Sequence, residues 1–535
     1  MRGRWRISLL ILLVLLGGLL LVSWMRNSGV RAARRAAESA RARAKAQGFR
    51  MTVKDFVLSL TSEEAARERV LTNLGPRLNG DPVPWPSQPN YPGTSGVAVC
   101  RWQNAGPWAE AISNVATLNK ELDAACVVLN NQERIRFIPN LEADLFPEYY
   151  VKSILRWLGC RVQLALRDGD MQSAWINLLA VTVLATQYQP SGIDFGVLGH
   201  GEAMRLAFYT TWEAMQTNAW SEAQLTQLAG LWESAEFFHT LPEVGALDRV
   251  RYLRMAEISR GPVRTDPNDT DETGARLGDF ISEPRAVWTT FRRRFQERSE
   301  AEWYRREGSY LDEAAIINES CDYERMMRVV ASTPSWRLIQ SLISKPQSPP
   351  VHLPPLPPLD TLAYLSDQLR YSEHNYIVVT SMAEAEARRR VVLGALDIYR
   401  HRLRTGSSRS SPLDASALPK DFITGERLHL KNSDDGMFLL YSVGLDGRDD
   451  GGDTSSMPLA SGSMMWTDRD FVWPRPATGQ EILAWKASLP RPAIGAETDR
   501  RLRKMSEAMM RRYHLVRPAS TNSETVSPSQ TEAAR

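Results

Sequence analysis

The chain has 535 residues, of which 43% are hydrophobic and 24% charged, and such values indicate an ordinary globular protein of about two to four domains with a sizeable core. A formal net charge of +3 gives no overall electrostatic basis for binding nucleic acid. Cys100, Cys126, Cys160 and Cys321 contain no Cys-x-x-Cys pair, which disfavours zinc and thioredoxin-like redox sites; one disulfide is compatible with the sequence, but the spacing does not identify its partners.

The first predicted element is a helix that spans a membrane. Residues 7–25 carry no charge, and a helix of this length measures about 28 Å, close to the hydrocarbon thickness of a bilayer. Trp5 and Trp24 flank the run, as interfacial aromatic residues do. A cleaved signal peptide is the alternative, but the run is longer than a typical signal-peptide core and no small-x-small site directly follows Val22. We therefore expect an uncleaved anchor at 1–25 that crosses the membrane once.

A basic helical segment is predicted at 26–80. Between Arg26 and Arg50 there are eight arginine or lysine residues and one acid, Glu38, which indicates a solvated face beside lipid headgroups rather than an arm for nucleic acid. A direct count of the positive charges on both sides of the apolar run would hold the large domain in the cytoplasm. The sequence TSEE at 61–64 is a capping box that opens a helix.

A mainly helical domain is predicted at 81–345. Apolar residues recur at helical spacing within 149–166 and again within 171–183, on either side of the turn RDGD. The two segments resemble one tetratricopeptide-type hairpin. A second capping box, SEAQ, stands at 221–224. Because no fixed repeat period is found, an irregular helical bundle fits as well as a repeat array.

Proline-rich and polar segments predict the boundaries. The run PQSPPVHLPPLPP holds seven prolines, which favour polyproline II, so 346–359 is expected to be a semi-rigid linker about 40 Å long. Five prolines in 82–92 and the polar composition of 262–285 indicate loops. The polar tail at 516–535 is expected to be disordered.

A small α/β module is predicted at 360–515. A helix that opens with the capping box of Ser381 and Glu384 and ends near Gly406 precedes two short strands, at 427–430 and 437–443. The second strand runs into FLLYSVGLDGRDDGGD, which contains four aspartates and four glycines. The expected fold class is therefore mainly α, with an N-terminal transmembrane helix, a helical domain and a C-terminal α/β module that has an antiparallel sheet.

Between about 380 and 474 the chain contains, in order, ALDIYRHRLRTG, LPKDFITGERLHL, FLLYSVGLDGRDDGG and RDFVWP. These segments resemble the C-terminal half of the major pseudopilins of type II secretion. In that family the Asp/Gly loop binds calcium, so the resemblance implies ligands at Asp446 and Asp470, with Asp449 and Asp450 as neighbouring carboxylates. Calcium takes six to eight oxygen ligands, and glycines let main-chain carbonyls turn inward. Without the resemblance, a solvated turn whose aspartates cap backbone amides is the better interpretation.

The chain departs from the pseudopilins in three places. Its apolar run lacks the glutamate of their N-terminal helix, the Tyr-Pro that follows their helix is missing, and the segment between Gly452 and Asp470 is expanded. We therefore expect a pseudopilin-like module on a different protein and no assembly into a pilus. The resemblance implies an inner (cytoplasmic) membrane location with the bulk of the chain on the periplasmic side. The calcium concentration there is high enough to fill weak binding sites.

No catalytic motif stands out. The sequence contains no P-loop, dinucleotide-binding, HExxH or GxSxG motif, and its seven histidines, His200 among them, have no metal-ligand spacing. Trp102, Trp108 and Trp157 could line a sugar or peptide groove, although core packing is the commoner use of such residues. We therefore predict a non-catalytic, membrane-anchored envelope protein that binds protein partners, in association with a type II secretion-like system. The alternative is a hydrolase of envelope polymer with its site in the helical domain.

Overall fold

The computed structural model describes residues 2–56, 60–78, 97–103, 108–131, 133–136, 149–190, 198–217, 219–260, 302–343, 371–406, 415–433, 436–453, 456–458 and 466–488. The chain divides into two compact units, Met1–Ala477 and Thr478–Arg535. The linker expected at 346–359, the loops expected at 82–92 and 262–285, and the tail at 516–535 lie outside the described residues.

The first unit is mainly helical. Its helices are α1 (Arg2–Ala46), α2 (Ser62–Leu74), α3 (Trp108–Ala116), α4 (Asn119–Leu129), α5 (Tyr149–Asp168), α6 (Met171–Thr186), α7 (Leu198–Met215), α8 (Glu222–Glu233), α9 (Leu241–Ile258), α10 (Ser309–Ser332), α11 (Trp336–Ile343) and α12 (Tyr371–Thr405). A π-helical turn at Tyr304–Gly308 leads into α10. In the second unit, α13 (Gly479–Ser488) begins at a capping box formed by Thr478 and Glu481.

The strands are short. They are β1 (Val97–Ala98), β2 (Ile135–Arg136), β3 (Tyr188–Gln189), β4 (His429–Asn432), β5 (Phe438–Ser442), β6 (Ser456–Pro458), β7 (Trp466–Asp468), β8 (Phe471–Trp473) and β9 (Arg475–Pro476). A three-stranded antiparallel sheet has the order β4-β5-β8, while β1–β9, β2–β3 and β6–β7 form two-stranded pairs. The predicted fold of a mainly helical chain with a small antiparallel sheet is therefore confirmed at this level.

The predicted helical hairpin is present as α5 and α6. The two helices pack against each other, and the residues that the pattern placed on their apolar faces, such as Leu158 and Leu178, are fully buried. The turn between them requires Gly169, whose φ of 76° is in the left-handed region. The side chain of Asp170 then caps α6 by accepting a hydrogen bond from the Ser173 amide, at 3.0 Å.

The apolar run at 7–25 lies within α1, and most of its side chains are outside the described part of the structure. Among the residues that the structure describes, no helix has the length and apolar character needed to cross a membrane.

The second half of α1 is docked on the helical pair of α9 and α10. Ala33, Ala37, Ala40 and Ala44 are each at most 3% exposed, and their 4-3-4 spacing forms a seam of small side chains that lets α1 approach α10 closely. Most basic residues of this half are exposed, as predicted for a solvated face, but the alanine side of the helix is docked and some of the basic side chains are paired. Arg41, for example, donates to Glu257 at 3.0 Å and also pairs with the buried Glu313.

A buried arginine fixes the end of this docked segment. Arg249, on α9, is inaccessible to solvent and forms an ion pair with Glu324 of α10 at 2.6 Å. Its Nε and Nη2 atoms also donate to the carbonyl oxygen of Arg50, at 3.0 and 2.9 Å. Because a buried charge is costly unless it is paired and hydrogen-bonded, these contacts commit the chain after α1 to one position.

The C-terminal sheet shares its core with the helices. Helix α12 packs against α7 and α8 and also against β5 and β8. Trp212 of α7 donates its indole N–H to the carbonyl oxygen of Pro474 at 2.7 Å, and Phe208 meets Trp473 edge-to-face with ring centroids 5.7 Å apart. The sequence predicts separate units at 81–345 and 360–515, whereas the described residues on both sides of the proline-rich linker belong to one buried cluster.

Two of the three predicted capping boxes are confirmed. Thr61 with Glu64 opens α2, and Ser221 with Gln224 opens α8. The box predicted at Ser381 is wrong, because Ser381 lies inside α12, ten residues after its start at Tyr371. The buried residues of α12 that precede Ser381 pack into the shared core, which favours continuing the helix over capping it.

Candidate functional site

The predicted Asp/Gly loop follows β5 and lies against the antiparallel sheet. Gly447, Gly451 and Gly452 have φ values of 71°, 75° and 86°, in the left-handed region that other residues avoid. A Cβ atom on Gly452 would come within 2.9 Å of the Leu439 side chain on β5. Glycine is therefore required there both for the turn and for the close approach of the loop to the sheet.

Asp470 connects this loop to the sheet. It directly precedes β8, is 1% exposed, and accepts hydrogen bonds on Oδ2 from the amides of Gly452 (2.7 Å) and Asp453 (3.2 Å). Its Oδ1 atom is buried and has no hydrogen-bond partner among the described residues. Burial raises the pKa of Asp470 above its ordinary value, while hydrogen bonds from the loop amides act in the opposite direction. A buried carboxylate oxygen without a partner is the kind of group that a cation would satisfy.

The other three predicted ligands do not converge on Asp470 as one set. Asp446 accepts a hydrogen bond from the Arg448 amide at 3.1 Å within its own turn. Asp449 faces β4 and β5, while Asp450 lies 4.0 Å from Arg469 and close enough to Asp470 to raise its pKa. Within the described ranges, no group of three or more His, Cys, Asp or Glu side chains could hold a metal ion. Of the other three, Asp450 is the one that acts on the pKa of Asp470.

Two side chains of the sheet hold Asp449, and a third holds the main chain of the loop beside it. Tyr441 donates its hydroxyl to Oδ1 at 3.0 Å, and His429 Nδ1 lies 3.3 Å from Oδ2, with the His429 and Tyr441 rings stacked 4.9 Å apart. Lys431 donates to the carbonyl oxygen of Gly451 at 2.9 Å. Desolvation alone would raise the pKa of Asp449. The hydrogen bonds that it accepts from the Gly451 amide and the Tyr441 hydroxyl, together with the neighbouring His429 and Lys431, outweigh this effect and lower the pKa.

Another buried aspartate, Asp421, stabilises the sheet but is not among the residues that the sequence predicted for the site. It is fully buried in the turn before β4. Its carboxylate oxygens accept hydrogen bonds at 2.6–3.3 Å from Ile423 N, Thr424 Oγ1, Ser442 Oγ and Val443 N. Asp421 thus joins its own turn to the end of β5, from which the Asp/Gly loop departs. The signal in the sequence was Asp-x-x-x-Gly, typical of a turn, with Gly425 at a φ of 78°.

A buried acid lies where β1 meets α7. Glu213 is 1% exposed, and its two carboxylate oxygens accept hydrogen bonds from the Arg101 amide at 3.2 and 3.0 Å. Its carbonyl oxygen accepts from the indole N–H of Trp102 at 3.2 Å. Burial raises the pKa of Glu213 to about 7, against the lowering effects of the Arg101 charge and amide. The acid therefore titrates near neutrality while it holds the segment after β1 in place.

The residues considered for catalysis in the helical region are mostly core residues. Trp108 and Trp157 are 7% and 6% exposed and belong to the main hydrophobic cluster. The two residues therefore pack in the core and do not line a groove together. His200 is 2% exposed, hydrogen-bonded to the carbonyl oxygen of Ala185 at 2.8 Å, and burial lowers its pKa to about 4.

The four cysteines are all buried and free. None of Cys100, Cys126, Cys160 and Cys321 forms a disulfide, and burial raises the pKa of each thiol. Buried thiols with a raised pKa are poor nucleophiles, so these residues act as small core side chains.

Comparisons with known protein families, with curated proteins and with solved structures find no match for this chain.

Proposed function

We propose that this chain is a non-catalytic, single-pass protein of the inner (cytoplasmic) membrane, with its bulk on the periplasmic side, which binds protein partners in a type II secretion-like system. The observation that carries the proposal is the continuity of α1. One uninterrupted helix, about 68 Å long, begins with the apolar run at 7–25 and ends in the segment docked on α9 and α10. Such a helix would join an anchor rigidly to the folded part of the chain.

Membrane extraction of the full chain tests the anchor. The wild-type protein is expected to stay with membranes in alkaline carbonate, because 19 consecutive uncharged residues suffice to span the hydrocarbon layer. A variant that lacks residues 2–25 is expected to be released and to keep its fold, since the buried alanines that dock α1 begin at Ala33. Release of the wild-type chain by carbonate would contradict the proposal.

Labelling of an introduced cysteine tests the orientation. Because the four native thiols are buried, Lys120→Cys on the exposed face of α4 gives a single reactive site. A membrane-impermeant maleimide is expected to label this variant in intact spheroplasts. Labelling only after lysis would place the bulk of the chain in the cytoplasm.

Calcium is proposed to stabilise the Asp/Gly loop through Asp470 and Asp450. The support is the buried, unpartnered Oδ1 atom of Asp470, the neighbouring Asp450 carboxylate and the left-handed glycines that bring the loop close. A calcium ion would supply the positive charge that compensates these oxygens. Asp446 and Asp449 are not included in the proposed pair, because Asp446 accepts the Arg448 amide within its own turn and Asp449 accepts the Tyr441 hydroxyl.

Thermal unfolding of the full chain tests the calcium proposal. At a concentration ten times Kd, calcium would stabilise the fold by about 1.4 kcal/mol, so Tm should rise by a few degrees relative to the same concentration of magnesium. Asp470→Asn is expected to abolish this rise. If Asp446→Ala also abolished the calcium-dependent rise in Tm, the result would support the ligands implied by the pseudopilin resemblance. If calcium did not raise the Tm of the wild-type chain, the calcium proposal would be wrong.

A further inference from the structure

One face of α1 is open beyond the apolar run. Ala33 and Ala37 lie on the docked face of the helix. At about 100° per residue, Trp24, Arg31 and Arg35 fall about 180° away, on the opposite face. Trp24 is 62% exposed and both arginines are exposed. The open face thus carries one aromatic ring followed by two guanidinium groups.

Both guanidinium groups lean toward the N-terminal end of α1, where the apolar run lies. Arg31 Nε donates to the carbonyl oxygen of Asn27 at 3.2 Å, and Arg35 Nε donates to that of Arg31 at 3.3 Å. In the part of the chain that the structure describes, neither group lies within ion-pair distance of a carboxylate. Arg34 and Arg41, by contrast, contact α10 through Tyr310 and Glu313. The terminal nitrogens of Arg31 and Arg35 are therefore oriented to receive an anion from outside the chain.

We propose that Arg31 and Arg35 bind the phosphodiester groups of anionic phospholipids where α1 leaves the bilayer, an inference that rests on the membrane anchor proposed above. At 1.5 Å per residue, the Arg31 guanidinium at the level of Asn27 lies about 4.5 Å beyond Trp24 along the helix axis, and that of Arg35 about 10 Å beyond it. The headgroup layer of each leaflet is about 5–8 Å thick. With Trp24 at the interface, Arg31 lies within this layer and Arg35 about 2–5 Å beyond its outer edge.

The chemistry favours a lipid phosphate over other anions. Arginine binds phosphate in a bidentate manner, and each basic residue next to a membrane surface strengthens binding to anionic lipid by about fivefold. Nucleic acid fits less well, since the net charge of the chain is only +3 and the apolar run comes directly before this face.

Lipid selectivity of the reconstituted full chain tests the site. Spin-labelled phosphatidylglycerol and phosphatidylcholine are compared for association with the protein in phosphatidylcholine vesicles. The wild-type chain is expected to prefer phosphatidylglycerol by about fivefold or more, and R31Q/R35Q is expected to lose most of this preference. The control, R43Q/K45Q, removes the same charge from α1 farther from the membrane and should keep it.

The possible results separate the two proposals. An undiminished preference in R31Q/R35Q, or an equal loss in the control, overturns the headgroup site and leaves the anchor intact. A wild-type chain that does not stay with the vesicles in alkaline carbonate overturns both. Binding to duplex DNA at physiological salt that R31Q/R35Q abolishes would assign the two arginines to nucleic acid instead.

Discussion

At the scale of single residues, the C-terminal sheet depends on the buried carboxylate of Asp421. Replacing it with alanine would leave the buried donors Ile423 N and Val443 N without their acceptor, and Ser442 Oγ with only the carbonyl oxygen of Val443. The lost hydrogen bonds to a charged group and the burial of unsatisfied donors together suggest a loss of about 3–5 kcal/mol in the free energy of unfolding. Denaturant titration of the full chain in detergent, followed by circular dichroism, measures this loss for Asp421→Ala.

The matched control is Asp446→Ala, in the same module. Asp446 caps only the amide of Arg448, in an exposed turn, so its removal should lower the free energy of unfolding by less than about 1 kcal/mol. Equal effects of the two substitutions would contradict the structural role assigned to Asp421.

Glu213 should make the stability of the protein depend on pH near neutrality. Its pKa of about 7 in the folded chain exceeds the ordinary value of 4.5, so the folded state holds this proton while the unfolded state releases it. Stability is therefore full below about pH 4.5 and decreases as the pH rises through 7. Relative to wild type, Glu213→Gln should gain about 2–3 kcal/mol between pH 5 and 8, because glutamine does not ionise.

Unfolding at several pH values, compared between variant and wild type, isolates this effect from other titrating groups. Glu233→Gln, on the exposed end of α8, serves as the control and should show no pH-dependent difference from wild type. A constant difference between Glu213→Gln and wild type from pH 5 to 8 would show that Glu213 does not titrate in this range.

The sequence identified part of this residue-scale chemistry. It predicted the Asp/Gly loop and the involvement of Asp470, but the pseudopilin resemblance implied one site for Asp446 and Asp470, with Asp449 and Asp450 as neighbouring carboxylates. The structure separates them, since Tyr441 and His429 engage Asp449 and the Arg448 amide engages Asp446. Asp421 and Glu213 were missed because their roles arise from contacts between distant segments.

At the scale of elements, the alanine seam of α1 decides how the N-terminal helix meets α10. Ala37 is 2% exposed, whereas Ala36 is exposed on the neighbouring position of the same helix. Ala37→Leu would insert three extra carbon atoms into a closely packed contact, which costs about 1–3 kcal/mol. We expect faster amide hydrogen exchange in residues 30–46 of Ala37→Leu and unchanged exchange in Ala36→Leu.

Faster exchange in both variants, or in neither, would show that the seam does not hold α1 on its neighbours.

Composition correctly predicted that α1 is helical, but not that half of it is docked. An Ala- and Arg-rich segment looks solvated in sequence because alanine is small and arginine is charged. The closest contacts between helices nevertheless need small residues, and Glu257 and Glu313, more than 200 positions away, pair with Arg41.

At the scale of the whole molecule, described residues before and after the proline-rich segment at 346–359 belong to one buried core. Helix α12 carries Val391 and Leu396, both fully buried, between the helical region and the sheet. The hydrogen bond from Trp212 to the carbonyl oxygen of Pro474 and the pairing of β1 with β9 also join residues far apart in the chain. Local sequence patterns predicted each set of elements, but nothing local indicated that the two sets complete each other.

This shared core predicts that the C-terminal module does not fold alone. A fragment of residues 360–488 would expose the faces of α12 and β8 that contact α7 and α8, so its proton NMR spectrum should show poor dispersion. Co-expression with residues 26–345 should restore dispersion and give a stable complex. Trp212→Ala removes both the indole hydrogen bond and a fully buried side chain, so it should weaken that complex. As a control in the full chain, Trp24→Ala should leave global unfolding unchanged. A well-dispersed spectrum of the isolated fragment would instead support an independent domain after the linker.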